Sequence, residues 1–172
     1  GEAFLGICTT EPGGGSDLAN IKTTGVPGKG GYTLNGEKIY ISGIAEARQR
    51  GGGHLTLFRT APELGYKGMT FAYVPSGAPG VTPTFFPDMG RNALSTGGMA
   101  YQDVLIPKSY LIGEEKRGFY TLMEGFNVAR TLVAAACVGA AEKALEMSAI
   151  YTQQRVLFGQ AIIKNQGISV DM

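Results

Sequence analysis

Phe4-Leu5-Gly6-Ile7-Cys8 leads directly into Thr9-Thr10-Glu11-Pro12-Gly13-Gly14-Gly15-Ser16-Asp17. A β-prone run thus opens into successive glycines, a hydroxyl and a carboxylate. Glycine lets backbone N–H groups approach a ligand closely, with no Cβ in the way. Successive N–H groups aimed one way form an anion-binding concavity. Thr9, Thr10 and Ser16 add rotatable hydroxyl donors. The composition suits a polar, phosphorylated ligand. A glycine-rich run with Ser and Asp is also an ordinary turn signal, and this one contains neither a GxGxxG fingerprint nor a Walker lysine.

The 172 residues suffice for one domain with a real core, or for a domain plus an appendage. A hydrophobic content of 44% with 17% charged residues fits an ordered globular protein. The 27 glycines have no period, which excludes a collagen-like chain. A net charge of +1 speaks against nucleic acid or an anionic membrane as the main partner. Cys8 lies in a strand pattern and Cys137 in an apolar helical run. No disulfide framework is expected of them, so a reducing cytoplasm is the default compartment. His54 and two scattered cysteines give no metal-ligand spacing. The longest strongly apolar run, Leu132 to Ala141, is too short to cross a bilayer. Gly1 enters a strand with nothing before it, and Met172 falls inside a helical pattern without a cap. A fragment of a longer enzyme is therefore expected.

Working outward from the loop, short β-branched and aromatic runs alternate with Gly, Pro and Asn. Strands are expected at Phe4–Cys8, Ile21–Val26, Gly31–Leu34, Glu37–Ile41, His54–Thr60, Met69–Tyr73, Val81–Phe85 and Met99–Val104. Asn35-Gly36 suits the positive φ angles of a type I′ hairpin turn between two of them. Such a series predicts an antiparallel barrel or sandwich. Ile44–Gly53, with Arg48, Arg50 and a terminal glycine cluster, is expected to be a mobile loop. The period then changes. Leu122, Phe126, Ala129, Val133, Ala136, Ala140, Ala144, Met147 and Tyr151 mark one face of a long helix. Asn127 is a plausible N-cap, giving a helix of roughly 40 Å to Gln154. Gly159 is expected to end it, with a second helix over Ala161–Met172. The tract from Ala134 to Ala141 is apolar all round and expects partners on several sides. Self-association through Leu132 to Ala144 follows as an expectation.

Several stretches carry a resemblance, in order. Thr10-Glu11-Pro12-Gly13-Gly14-Gly15-Ser16-Asp17 resembles the TEPxAGSD signature of the acyl-CoA dehydrogenase family, with Gly14 in the usual Ala position. Tyr32-Thr33-Leu34-Asn35-Gly36-Glu37-Lys38-Ile39-Tyr40-Ile41-Ser42 resembles its YxLNGxKxxIS segment. Lys67-Gly68 with Phe71–Pro75, Met89-Gly90-Arg91, and Val104-Leu105-Ile106-Pro107 resemble further family elements. Arg155-Val156-Leu157-Phe158-Gly159, Gln166 and Asp171-Met172 resemble RxxFGxxIxxxQxxxxDM.

The resemblance implies an α+β fold. Residues 1–115 would be the β-barrel middle domain that binds FAD and acyl-CoA. Residues 116–172 would be the first helices of a truncated C-terminal four-helix bundle. It implies oxidation of an acyl-CoA thioester to the 2,3-enoyl-CoA in fatty acid β-oxidation, with electron-transfer flavoprotein as acceptor and a homotetrameric parent. It implies FAD contacts from Ile7, Thr9, Thr10, Gly15 and Ser16, and from Tyr40, Ile41 and Ser42 beside the flavin ring. Thr10 would bond the pyrimidine edge and Ser42 the N5 region, while Tyr40 replaces the usual Trp. Arg155, Phe158, Asn165 and Gln166 would reach FAD on a neighbouring subunit. Ser16, Asn127 and Arg130 would contact acyl-CoA. The family's base is a glutamate that removes the α-proton as the β-hydride passes to flavin N5. Ala129 occupies one family location of that base, and Glu142 and Glu146 match neither. No catalytic residue and no metal ligand is therefore expected in this chain, and the chain alone is expected to be inactive. A flavin oxidase or monooxygenase on the same scaffold, and a non-catalytic assembly domain, are the alternatives. The implied location is cytoplasmic, or the mitochondrial matrix in a eukaryote.

Overall fold

The computed structural model describes residues 1–90 and 92–170. The chain divides into two compact units, Gly1–Glu124 and Gly125–Met172. The first unit is built on seven strands: β1 (Leu5–Cys8), β2 (Thr24–Gly28), β3 (Gly31–Ser42), β4 (Gly53–Arg59), β5 (Met69–Pro75), β6 (Val81–Phe86) and β7 (Thr96–Pro107). They pair in the order β1-β4-β2-β3-β7-β6, with β5 also on β4. The β2–β3, β3–β7, β6–β7 and β4–β5 pairs are antiparallel, and of these the sequence neighbours β2–β3, β4–β5 and β6–β7 are the ones a direct connection accounts for. The β1–β4 and β2–β4 pairs are parallel. The sheet is thus mixed rather than wholly antiparallel. β1 and β4 are distant in sequence, so no hairpin forces them to run oppositely.

The Asn35-Gly36 hairpin does not form. Both residues lie inside the 12-residue β3, whose partner β7 is also 12 residues long. Leu34 pairs with Val104 and Gly36 with Tyr101, so the extra residue belongs to β7. Asn35 serves that bulge: its Nδ2 donates to Asp103 Oδ1 at 3.0 Å, and its Oδ1 accepts from Asp103 N at 2.9 Å. Asp103 takes φ 51° there. Gly36 is required by close approach, since a Cβ would lie 2.6 Å from Thr23 Cα. The real reversal is at Lys29-Gly30, between the paired Gly28 and Gly31, with Gly30 at φ 89°.

The expected mobile loop over Ile44–Gly53 contains α1 (Ile44–Gln49). Its Ile44 and Ala47 are fully buried. Ser95 pins it, donating from N and Oγ to the Glu46 carboxylate and accepting from Ala45 N. Leu34, Ile41, Phe58, Val74, Met99 and Val104 form the centre of the core. Each such side chain contributes about 1.5–3 kcal/mol on burial. Cys8 lies among them, its thiol 3.2 Å from Tyr101 Oη and pushed up to about 11 chiefly by burial.

The long helix, α2, runs Gly118–Gln154 and spans 37 residues, about 55 Å at 1.5 Å per residue. It starts before Asn127, which lies in its interior and caps nothing. The helix opens on a glycine because the chain packs tightly there: a Cβ on Gly118 would sit 2.5 Å from Phe71 N, and Leu122 one turn on is buried. In the second unit α2 ends at Gln154, so Arg155 stands just past it. Gly159 lies instead at the tip of a small hairpin, β8 (Val156–Leu157) with β9 (Gln160–Ala161). Phe158 and Gly159 take φ 51° and 77°, the signs a type I′ turn needs. The expected second helix shrinks to α3 (Gln166–Ser169) because β9 and a helical turn at Ile162–Lys164 take its first residues. Arg91 and the terminal Asp171-Met172 lie outside the described residues.

Candidate functional site

β1 delivers the glycine-rich loop. Cys8, Thr9 and Glu11 are buried, whereas Pro12 through Asp17 are exposed. Glu11 N donates to Gly14 O at 3.2 Å and Gly14 N to Glu11 O at 2.9 Å, closing a tight turn with Gly14 at φ 148°. A Cβ on Gly13 or Gly14 would meet nothing within 4 Å, so the loop's outer side is open. Gly15 is different: its Cβ would come within 3.0 Å of the Thr10 methyl. Its lack of a side chain lets the loop fold back over Thr10.

A buried ion pair fixes this loop to β3. Lys38 Nζ donates to Glu11 Oε1 at 2.9 Å and to Thr9 O at 3.1 Å. Glu11 also accepts from Lys22 N, Thr23 N and Thr23 Oγ1. The side chains are 0% (Lys38) and 7% (Glu11) exposed. Burial alone would raise the Glu11 carboxyl, but the Lys22 and Thr23 hydrogen bonds and the Lys38 charge hold it below the ordinary carboxylate range. Burial lowers the Lys38 ammonium, with Glu11 opposing. The two shifts express unequal support: the carboxylate has donors besides Lys38, and the ammonium depends on Glu11. Next along the strand, Ile39 N donates to Thr10 O at 2.9 Å. The loop and the following triplet are therefore one structure.

That triplet is Tyr40-Ile41-Ser42. Lys38 pairs with Met99 and Ile41 with Gly97, so β3 carries a bulge there. Tyr40 occupies it at φ 57°, is 69% exposed, and meets Phe86 edge-on at 5.8 Å between ring centroids. The bulge turns Tyr40 outward while Ile41 stays in the core, leaving Ile41 only its backbone for any ligand. Ser42 is half-buried. Ile7, on β1, is exposed. A cavity of about 200 Å³ opens beside Pro12, Glu37, Ile39, Thr84, Phe86 and Met99. A larger one of about 270 Å³ surrounds the Lys29-Gly30 turn and holds none of the expected site residues.

In the second unit, Arg130 Nη1 donates to Asn127 Oδ1 at 3.1 Å, so these exposed residues do stand together. Ile162 N donates to Arg155 O at 2.9 Å and closes the small hairpin. Gln160 Nε2 donates to Asn165 Oδ1 at 3.4 Å. Phe158 projects from the hairpin tip, and Gln166 opens α3. Among the described residues no His, Cys, Asp and Glu group suited to a metal ion occurs.

Glu11 and Lys38 lie within the sequence motifs, but their pairing is not expected from the motifs themselves. A charged residue at an inward-facing strand position is the available signal. Its partner, 27 residues away, is not readable from spacing.

The comparisons with known proteins agree with this architecture. Residues 6–104 match the family described as acyl-CoA dehydrogenase, middle domain, and residues 116–172 match acyl-CoA dehydrogenase, C-terminal domain. An acyl-CoA dehydrogenase of Bacillus subtilis is 36% identical over 172 residues, covering 98% of this chain and 44% of the relative. The crystal structure of an acyl-CoA dehydrogenase from Geobacillus kaustophilus superposes with a TM-score of 0.91 at 34% identity, over 99% of this chain and 44% of that one. A chain in the electron transferring flavoprotein structure from Acidaminococcus fermentans gives 0.89 at 31% identity, over 98% and 43%. The chain thus spans less than half the length of the relatives it matches. With the middle-domain match alone running from residue 6 to 104, this chain belongs to the acyl-CoA dehydrogenase family.

Proposed function

We propose that the protein carrying this chain is an FAD-dependent acyl-CoA dehydrogenase that oxidises an acyl-CoA thioester to the 2,3-enoyl-CoA. One observation carries the reading: the open glycine loop is locked to Tyr40-Ile41-Ser42 through Glu11–Lys38 and Thr10–Ile39. Bound FAD supplies the two-electron acceptor, as it does in this family. The residues present fit such a group. The outer side of Gly13-Gly14 is unobstructed, Thr10 and Ser16 offer hydroxyls, and Tyr40 offers an exposed ring.

Ile7, Thr9, Thr10, Gly15 and Ser16 hold FAD on the loop side, and Tyr40, Ile41 and Ser42 on the strand side. Arg155, Phe158, Asn165 and Gln166 serve FAD of a neighbouring copy in a homo-oligomer, where guanidinium suits a phosphate through paired donors. Ser16, Asn127 and Arg130 hold acyl-CoA. Ala129 cannot take a proton, and Glu142 and Glu146 match neither place the resemblance gives the base, so the α-proton base is assigned to a glutamate outside these residues. Residues 1–115 act as the flavin and substrate domain and 116–172 as helices of the C-terminal domain. Electron-transfer flavoprotein is the proposed electron acceptor. No helix among the described residues is long and apolar enough to cross a membrane.

The purified full-length protein is expected to carry about one FAD per chain, read from its visible absorbance and the flavin released on denaturation. A colourless protein that also fails to take up added FAD contradicts the reading.

A further inference from the structure

The carbonyl of Ser42 has an unusual partner. The first half of β3 is flanked by β2, but that pairing ends at Asn35. Beyond it, the open edge of β3 meets the glycine loop at Ile39 and a histidine at Ser42. His54 Nε2 stands 3.2 Å from Ser42 O, and the ring is fully buried. A carbonyl only accepts, so Nε2 carries the proton. Nδ1 is then the acceptor, and Ser76 Oγ, 3.3 Å away, donates to it. Ser76 is itself fixed by its N–H to Gly52 O at 3.1 Å. On the far side, Gly6 pairs with His54 across β1 and β4, and a Cβ on Gly6 would press to 2.7 Å of His54 Cδ2. Glycine is the residue that leaves room for the ring. Burial holds the imidazole below its usual range, with the Ser42 hydrogen bond opposing, so the ring is neutral at neutral pH.

We propose that His54 is a positioning residue for the flavin site: with Ser76 fixing its tautomer, it grips the backbone of Ser42 and sets the pitch of the Tyr40–Ser42 segment. This rests on the reading that the segment faces FAD. Both ring nitrogens are engaged, one by Ser42 O and the other by Ser76 Oγ, so His54 acts through Ser42. Glu11–Lys38 secures the start of the segment and His54 its end.

Three forms of the full-length protein test it: wild type, His54→Leu and His54→Gln. Gln carries an amide nitrogen near the position of Nε2 and keeps the donor, whereas Leu keeps only bulk. His54→Leu is expected to weaken FAD binding by about tenfold, the equivalent of one lost hydrogen bond, and to shift the flavin absorption bands. His54→Gln should recover the wild-type spectrum and most of the affinity. A folded His54→Leu protein with unchanged affinity and spectrum overturns the proposal, as does a His54→Gln protein that fails as badly as Leu. A second measurement needs neither the Leu variant nor flavin. Long-range proton–nitrogen correlation on the wild-type protein without FAD should show His54 as the single Nε2–H tautomer, and an Nδ1–H tautomer overturns the proposal. A wild-type protein that cannot bind FAD instead removes the reading of the site beneath it.

Discussion

Glu11→Gln is expected to remove about 3–5 kcal/mol of stability, the usual cost of stripping a buried charge of its partner. That is a large part of the ~5–15 kcal/mol that holds a domain together. Lys38 would keep Thr9 O but lose the carboxylate that compensates its burial. The new amide would also set an N–H₂ group against the donors of Lys22 and Thr23. Lys38→Met should cost less, because Glu11 retains Lys22 N, Thr23 N and Thr23 Oγ1. Denaturant unfolding of both variants measures the order, and a Lys38→Met protein weaker than Glu11→Gln contradicts it. The pH dependence has a definite sign. A carboxyl held below its ordinary range contributes stability that is complete above about pH 4–5 and is lost as pH falls through the depressed value. Glu11→Gln should lack that part of the acid limb.

Ser42→Ala is expected to slow flavin reduction by acyl-CoA about 100-fold, the effect of losing one preorganised donor worth ~3 kcal/mol to developing charge. The variant keeps the strand pairing, since Ser42 pairs with Thr96 through its backbone and its carbonyl, not its hydroxyl, accepts from the His54 ring. Folding and FAD content should therefore be near normal, separating this result from that of Glu11→Gln. Stopped-flow bleaching at the wild-type rate would remove the Ser42 hydroxyl from the reacting region.

Much of the sheet was legible because its strands alternate or run apolar between Gly and Pro breaks. Leu5–Cys8, Gly53–Arg59, Met69–Pro75 and Val81–Phe86 appear within a residue or two of expectation. The long helix was legible from its three-to-four residue period, except at its start. Asn35-Gly36 misled because a type I′ signal is local, whereas the competing use of Asn35 lies on β7, 68 residues away. α1 escaped notice because a 6-residue helix shows too little period, and its anchor is Ser95.

The site was legible as a set of motifs, not as a mechanism of support. Thr10, Ser16, Tyr40 and Ser42 were nameable from the resemblance. The positive φ of Tyr40, the Glu11–Lys38 pair and the His54 contact to Ser42 were not, because each is a tertiary event. They explain how a bare glycine run, weak evidence alone, is joined here to the Tyr40–Ser42 segment.

The most direct measurement is anaerobic addition of acyl-CoA thioesters, straight-chain and branched, to the FAD-loaded full-length protein, with the flavin absorbance followed and the products analysed. The expected result is bleaching of the oxidised flavin band with formation of one 2,3-enoyl-CoA per flavin reduced. A yellow protein whose flavin stays oxidised with every thioester tried would contradict the assignment of this chain to an acyl-CoA-oxidising flavoenzyme.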